Sequence, residues 1–260
     1  MNKIYAIVNQ KGGVGKTTSV VNLAAYLVQT GRRVLVVDMD PQSNATSGFG
    51  FDKYQMSPST YDVLMQECRP GEAIRRHAES GVDLLPASPN LAGAEVELVG
   101  EMAREYRLEK ALQELHESYD YILIDCPPSL SLLTINALAA AGNGVLIPVQ
   151  CEYLALEGLS QLMQTIDLVR RHLSPKLQIR GLIMTMYDSR TNLSRQVVEE
   201  VRQHFPGKVF RAIIPRNVRL SEAPSFGQPI NLYAPTSPGA MAYKVLTAEL
   251  VQGDTQGKKA

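Results

Sequence analysis

Seven short apolar, β-branched runs alternate with helical patterns along nearly the whole chain, at 4–9, 33–39, 82–87, 121–125, 144–150, 178–186 and 209–214. Between them, apolar residues recur at helical spacing over 16–30, 103–118, 131–141, 157–172, 193–204 and 239–251. Strands that read as near-continuous apolar runs, with helices between them, belong to a parallel sheet covered on both faces. The pattern predicts an α/β fold built on a single doubly wound, mostly parallel sheet. Gly31 stands where the first helix ends, and Ser174-Pro175 closes a later one. No linker rich in Pro, Gly or Ser divides the chain, so residues 1–252 read as one domain. Within it, 42–81 is the least regular part, a loop with short helices over one edge. The polar tail 253–260 is expected to be disordered.

The first run leads into Gln10-Lys11-Gly12-Gly13-Val14-Gly15-Lys16-Thr17-Thr18 and then into an amphipathic helix. Phosphate binding needs backbone N–H groups converging on an anion and a helix N-terminus whose dipole favours negative charge. Glycines allow the backbone angles and the close approach. Lys16 reaches the β- and γ-phosphates, and the Thr17 hydroxyl suits a magnesium ion. The general form is GxxxxGK[ST]; here Gln10 replaces the first glycine and Lys11 is an additional lysine inside the loop. A strand before and a helix after are the context such a loop requires. This is a P-loop.

Two further strands end in carboxylates, at Asp38-Met39-Asp40-Pro41 and at Asp125-Cys126-Pro127-Pro128. Ligands of open α/β sheets bind at the carboxyl ends of the strands. Beside a phosphate loop, an aspartate there commonly holds the metal through water, so Asp38, Asp40 and Asp125 point to a site for magnesium and water.

Charge changes the picture. The chain is neutral overall, but eleven Lys and Arg face four Asp and Glu between Gln161 and Leu220, leaving −7 for the remainder. Such asymmetry predicts a basic face on a neutral molecule. No apolar run approaches the ~20 residues of a membrane helix, and the N-terminus lacks a signal-peptide pattern. Cys68, Cys126 and Cys151 lie far apart with no CxxC pair. They read as reduced, buried thiols of a cytoplasmic protein rather than as disulfides or metal ligands.

The loop Lys11–Thr18 resembles the deviant Walker A motif of the ParA/MinD family of ATPases. The stretch opening Val37-Asp38-Met39-Asp40-Pro41-Gln42 resembles the ParA branch, as do Asp125-Cys126-Pro127-Pro128-Ser129 and Pro148-Val149-Gln150-Cys151-Glu152. Ile214-Pro215-Arg216-Asn217-Val218-Arg219-Leu220-Ser221-Glu222 completes the likeness, which covers residues 2–250 and is nearest the chromosomal form. The resemblance implies a slow ATPase with ATP and Mg2+ as ligands, working in chromosome segregation as a homodimer when ATP is bound. Lys11 would cross to the phosphates of the partner's nucleotide, while Gly12, Gly13, Val14, Gly15, Lys16, Thr17 and Thr18 bind ATP and magnesium within one subunit. Asp40 would orient the attacking water, Asp38 and Asp125 would support the metal, and Pro215 and Asn217 would meet adenine. Lys11, Lys16 and Asp40 thus form the catalytic set. Arg190 and Arg219 would belong to a surface for non-specific double-stranded DNA, and both fall in the basic segment. A ParB-type centromere-binding protein would stimulate hydrolysis, and the protein would be cytoplasmic and nucleoid-associated.

The chain starts at its first strand, without the N-terminal helix-turn-helix module of operator-binding plasmid relatives, so sequence-specific DNA reading is not expected. A MinD-like, membrane-associated cell-division ATPase is the alternative; it needs a C-terminal amphipathic helix, and residues 252–260 have no apolar face. A nitrogenase-type iron protein would need cysteines bridging a cluster between subunits, whereas Cys126 reads as a packing residue. A DNA-binding scaffold without hydrolysis would have no use for Asp40.

Overall fold

In the computed structural model, residues 2–153 and 155–256 are described. Eight strands form one sheet: β1 Lys3–Ile7, β2 Val34–Asp38, β3 Arg75–Arg76, β4 Asp83–Leu85, β5 Tyr121–Asp125, β6 Val145–Gln150, β7 Ile179–Tyr187 and β8 Val209–Pro215. Their order is β3-β4-β2-β5-β1-β6-β7-β8. Every neighbouring pair is parallel except β3 with β4.

Side chains of a strand alternate between faces, and here both faces are apolar. Ile4, Ala6, Leu35, Val37, Ile122 and Ile124 point to one side, where Leu133, Leu138, Leu159, Leu162, Val197 and Val201 from three helices cover them. Tyr5, Ile7, Val34, Val36 and Leu123 point to the other, under Val20, Leu23 and Leu27 of the helix Lys16–Gln29 and Tyr243, Leu246 and Leu250 of the helix Pro238–Gln256. That two-sided burial is why the strands read as unbroken apolar runs. Register then fixes the site. Asp38 of β2 pairs with Asp125 of β5, and Ile7 of β1 pairs with the same Asp125. Two carboxylates and the strand leading into the phosphate loop therefore end at one level.

Three expectations need correcting. The two-residue antiparallel β3 was not foreseen; two arginines carry no periodicity. The helix expected over 103–118 is broken into a 3-10 turn, Arg104–Tyr106, and a shorter α-helix, Arg107–Gln113. Asn136 sits in the break, donating to the Arg104 carbonyl at 2.8 Å and accepting from the Leu108 N–H at 3.1 Å. The tail expected to be disordered from Gly253 instead continues the last helix through Gln256. Asp254 is buried and accepts from the Tyr5 hydroxyl at 2.7 Å, the Tyr121 hydroxyl at 2.9 Å and Arg180 Nε at 3.0 Å. A buried carboxylate with three such donors docks the final turn onto the sheet. Residues 257–260 of that expectation lie outside the described residues. Among the described residues, no helix is long and apolar enough to cross a membrane.

Candidate active site

The phosphate loop hangs between β1 and the helix Lys16–Gln29. Asn9 anchors it: its side-chain amide donates to the Pro148 carbonyl at 2.7 Å and accepts from the Lys11 N–H at 3.0 Å. Gly13 and Gly15 have φ of +74° and +91°, a conformation that side chains disfavour. Thr185 on β7 braces the loop by donating to the Val14 carbonyl at 2.8 Å. No side chain caps the helix that follows, and its first turn holds no acidic residue. The N–H groups at that terminus are left to an anion.

Lys16 is only 7% exposed, and its ammonium donates to the Lys11 carbonyl at 3.2 Å. Burial pulls this lysine below its ordinary pKa, with the nearby Asp125 carboxylate opposing. The Thr17 hydroxyl donates to one oxygen of Asp125 at 2.7 Å. The other oxygen, Oδ1, is buried without a hydrogen-bond partner among the described residues. Burial, reinforced by the charge of Asp38, pushes the Asp125 carboxyl well above the usual carboxylate range. A cation beside the open oxygen would reverse that logic. A hydroxyl and an unsatisfied carboxylate oxygen at the foot of a phosphate loop suit a hard, oxygen-seeking ion such as magnesium.

Asp38 has another occupation. One of its oxygens accepts from the Thr46 N–H at 2.8 Å and hydroxyl at 2.7 Å, and the other accepts from the Asp40 N–H at 3.1 Å. It thereby holds the loop that carries Asp40, whose own carboxylate is nearly buried and accepts from the Gln42 N–H at 2.9 Å. The structure thus gives Asp125 the free oxygen suited to a metal and Asp38 the task of shaping the Asp40 loop. Thr46 completes this network by accepting from the Ala87 N–H at 2.9 Å. Nothing in the pattern of residues singled out Thr46, since its partners come together only in the fold.

Two cavities of ~490 and ~580 Å³ share the walls Gly15, Thr18, Met186, Leu220 and Pro224. The first holds Gly12, Gly13, Lys16, Thr17 and Asp40; the second runs along Thr185, Pro215, Asn217 and Tyr243. Together they form one elongated small-molecule site, with the phosphate loop at one end and Pro215 and Asn217 at the other. The buried Oδ1 of Asn217 has no hydrogen-bond partner among the described residues, so the second end offers an acceptor to an N–H donor. Met186, in a left-handed conformation at φ +52°, is a wall residue that the sequence did not flag.

Lys11 is half-exposed and stands 3.9 Å from the Glu152 carboxylate, which also accepts from Arg216 at 3.2 Å. Arg190 and Arg219 are exposed, but neither is a free cation. Arg190 grips Asp188 at 2.7 Å and Arg219 grips Glu222 at 2.9 Å. Arg170 and Arg180 of the same segment are matched by Asp167 and Asp254. The charge count therefore overstates the basic face.

Comparison with known proteins agrees with this geometry. The family described as an AAA domain matches residues 2–179. The sporulation initiation inhibitor protein Soj of Bacillus subtilis (strain 168) is 56% identical, over 96% of this chain and 98% of its own length. Chromosome partitioning protein ParA of Myxococcus xanthus (strain DK1622) is 55% identical over 98% and 90%. The crystal structure of cobyrinic acid a,c-diamide synthase from Mycobacterium smegmatis with bound ADP and magnesium superposes with a TM-score of 0.88, at 39% identity over 99% and 97% of the two chains. Both relatives are identical to this chain at more than half of the aligned positions and cover it nearly end to end. On that identity and coverage, the chain belongs to the ParA branch of the ParA/MinD family of deviant Walker A ATPases.

Proposed function

We propose that the protein is an ATP-driven dimerisation switch for chromosome partitioning, which binds DNA without regard to sequence when two subunits close on ATP. The observation that carries the reading is an uncapped helix N-terminus with a buried lysine, facing a carboxylate oxygen that lacks a partner. ATP lies along the joined cavities, triphosphate at Gly12–Thr18 and base between Pro215 and Asn217. Thr17 and Asp125 hold magnesium, which when bound offsets charge on the β- and γ-phosphates. Asp40 accepts a hydrogen bond from the water that displaces ADP at the γ-phosphorus, and Lys16 meets the charge on the phosphate oxygens. Hydrolysis is slow, as the family resemblance implies, and acts as a timer. A ParB-type partner bound at centromere-like DNA shortens it, and the subunits separate on the nucleoid.

Sedimentation with and without ATP tests the switch: a monomer should become a dimer, and a protein that stays monomeric with saturating ATP rules it out. Gly12→Val sharpens the test. A Cβ on Gly12 meets nothing within 4 Å inside the subunit, so the loop itself has room for the branch point of a valine side chain. The variant should bind ATP within about threefold of wild type and remain monomeric, because on this reading the two phosphate loops face each other where Lys11 crosses to the partner's nucleotide; a Gly12→Val dimer with ATP would contradict that arrangement.

DNA binding rests on Arg190 and Arg219. Phosphate contacts carry non-specific affinity and release counterions, with a log–log salt slope of about −0.9 per phosphate neutralised. Arg190→Ala and Arg219→Ala should each weaken binding several-fold, equally on unrelated duplexes, and flatten the slope by about one contact per subunit. ATP-driven dimerisation should persist in both. Undiminished binding by both variants across a salt series would remove these residues from the surface.

A further inference from the structure

The Arg190 guanidinium donates from Nε and Nη2 to the two oxygens of Asp188 at 2.9 and 2.7 Å, and its backbone N–H reaches the same carboxylate at 3.0 Å. Arg219 Nη1 donates to Glu222 at 2.9 Å, onto the oxygen that also accepts from the Tyr233 hydroxyl at 3.0 Å. Both pairs occupy one corner of the fold. β7 and β8 are neighbours whose last residues, Tyr187 and Pro215, are register partners, and the Arg216 N–H donates to the Tyr187 carbonyl at 2.9 Å. Asp188 and Arg219 each stand two residues from a wall of the nucleotide cavity, Met186 and Asn217.

We propose that Asp188 and Glu222 are guard carboxylates, which occupy Arg190 and Arg219 within each subunit and set the threshold for DNA binding. The inference rests on the reading of those arginines as DNA contacts. Asp188 takes the Nε/Nη2 edge of Arg190 and Glu222 takes Nη1 of Arg219, so a phosphate must displace the acid from that edge or share the guanidinium with it. Either way the acid stays nearby as a like charge against the DNA. Both acids remain ionised near neutrality: hydrogen bonds from Arg190 hold Asp188 down to about 2, and those from Tyr233 and Arg219 hold Glu222 below its ordinary value. A single subunit then gains little from DNA. Two closed subunits pool their arginines on one duplex, where summed contacts exceed the repulsion. The threshold comes from the pairing, and ATP crosses it by doubling the sites.

The test uses the full chain with ATP and two unrelated duplexes of equal length, titrated between 50 and 200 mM salt. Asp188→Asn keeps an oxygen for the Arg190 N–H, and Glu222→Gln keeps one for Tyr233, so the local turns survive. Each variant should tighten binding about 3- to 10-fold at the low-salt end, equally on both duplexes, with the log–log slope steeper by up to about one contact per subunit. In the Arg190→Ala background, Asp188→Asn should recover only the small gain from relieved repulsion, less than it gives in wild type, because the larger part acts through the arginine. If the amide variants bind as wild type or weaker while Arg190→Ala and Arg219→Ala weaken binding, the guard role is wrong and the DNA contacts stand. If neither arginine variant weakens binding, the DNA reading of these residues fails, and the guard role with it.

Discussion

Lys16→Ala is expected to lose ATP binding, with affinity at least ~30-fold weaker, on the scale of about 2–5 kcal/mol for truncating one partner of a buried, hydrogen-bonded charge pair. The ammonium is almost withdrawn from water and already held at the foot of the loop by the Lys11 carbonyl. It meets the β- and γ-phosphates without reorganising, where screening is weak. The fold should survive the change, because burial penalises this charge in the absence of phosphate rather than stabilising it. Two measurements separate the effects. Calorimetric titration should show no ATP binding in the micromolar range, and thermal melting should show wild type rising with ATP while the variant melts near the ligand-free protein and does not respond. ATP affinity equal to wild type would remove Lys16 from the phosphate site.

The phosphate loop and strand-end carboxylates were legible because their information is local. A strand, a glycine-rich turn and a helix are consecutive in the chain, and a strand buried on both faces announces itself residue by residue; β5 runs over Tyr121–Asp125 as expected. What was not legible depends on partners distant in sequence. The last turn is ordered by Asp254, whose donors Tyr5, Tyr121 and Arg180 lie 249, 133 and 74 residues away. Thr46 acquires its role from Asp38 and from Ala87, 41 residues on. Asn136 breaks a helix 28 and 32 residues upstream. The arginine pairs are a different case. Asp188 is two residues from Arg190 and Glu222 three from Arg219, so the pairing was within reach of the sequence. The charge count took in Asp188 without assigning it to Arg190, and stopped at Leu220, two residues short of Glu222.

Asp40→Ala is expected to keep ATP binding and lower turnover by about 10²–10³, within the range for removing a positioned acid–base group. The binding half follows from hydrogen bonds. Among the described residues the Asp40 carboxylate accepts only from the Gln42 N–H in its own loop, while the backbone N–H that ties residue 40 to Asp38 is retained by alanine. Loss of the carboxylate also lifts like charge from Asp38 and Asp125, both of which feel Asp40. A less negative site should hold a triphosphate as well as before or slightly better. With the timer stopped, the ATP-bound dimer should accumulate in sedimentation and persist for hours. Asp38→Ala is the necessary comparison. It removes the acceptor for Thr46 and for the Asp40 N–H, so it should slow turnover by loosening the loop and should also lower the melting temperature. Asp40→Ala should leave the melt near wild type. Turnover at the wild-type rate in Asp40→Ala would move water positioning elsewhere in the site. A stalled Asp40→Ala enzyme with an intact fold and a trapped dimer would fix that role on this one carboxylate.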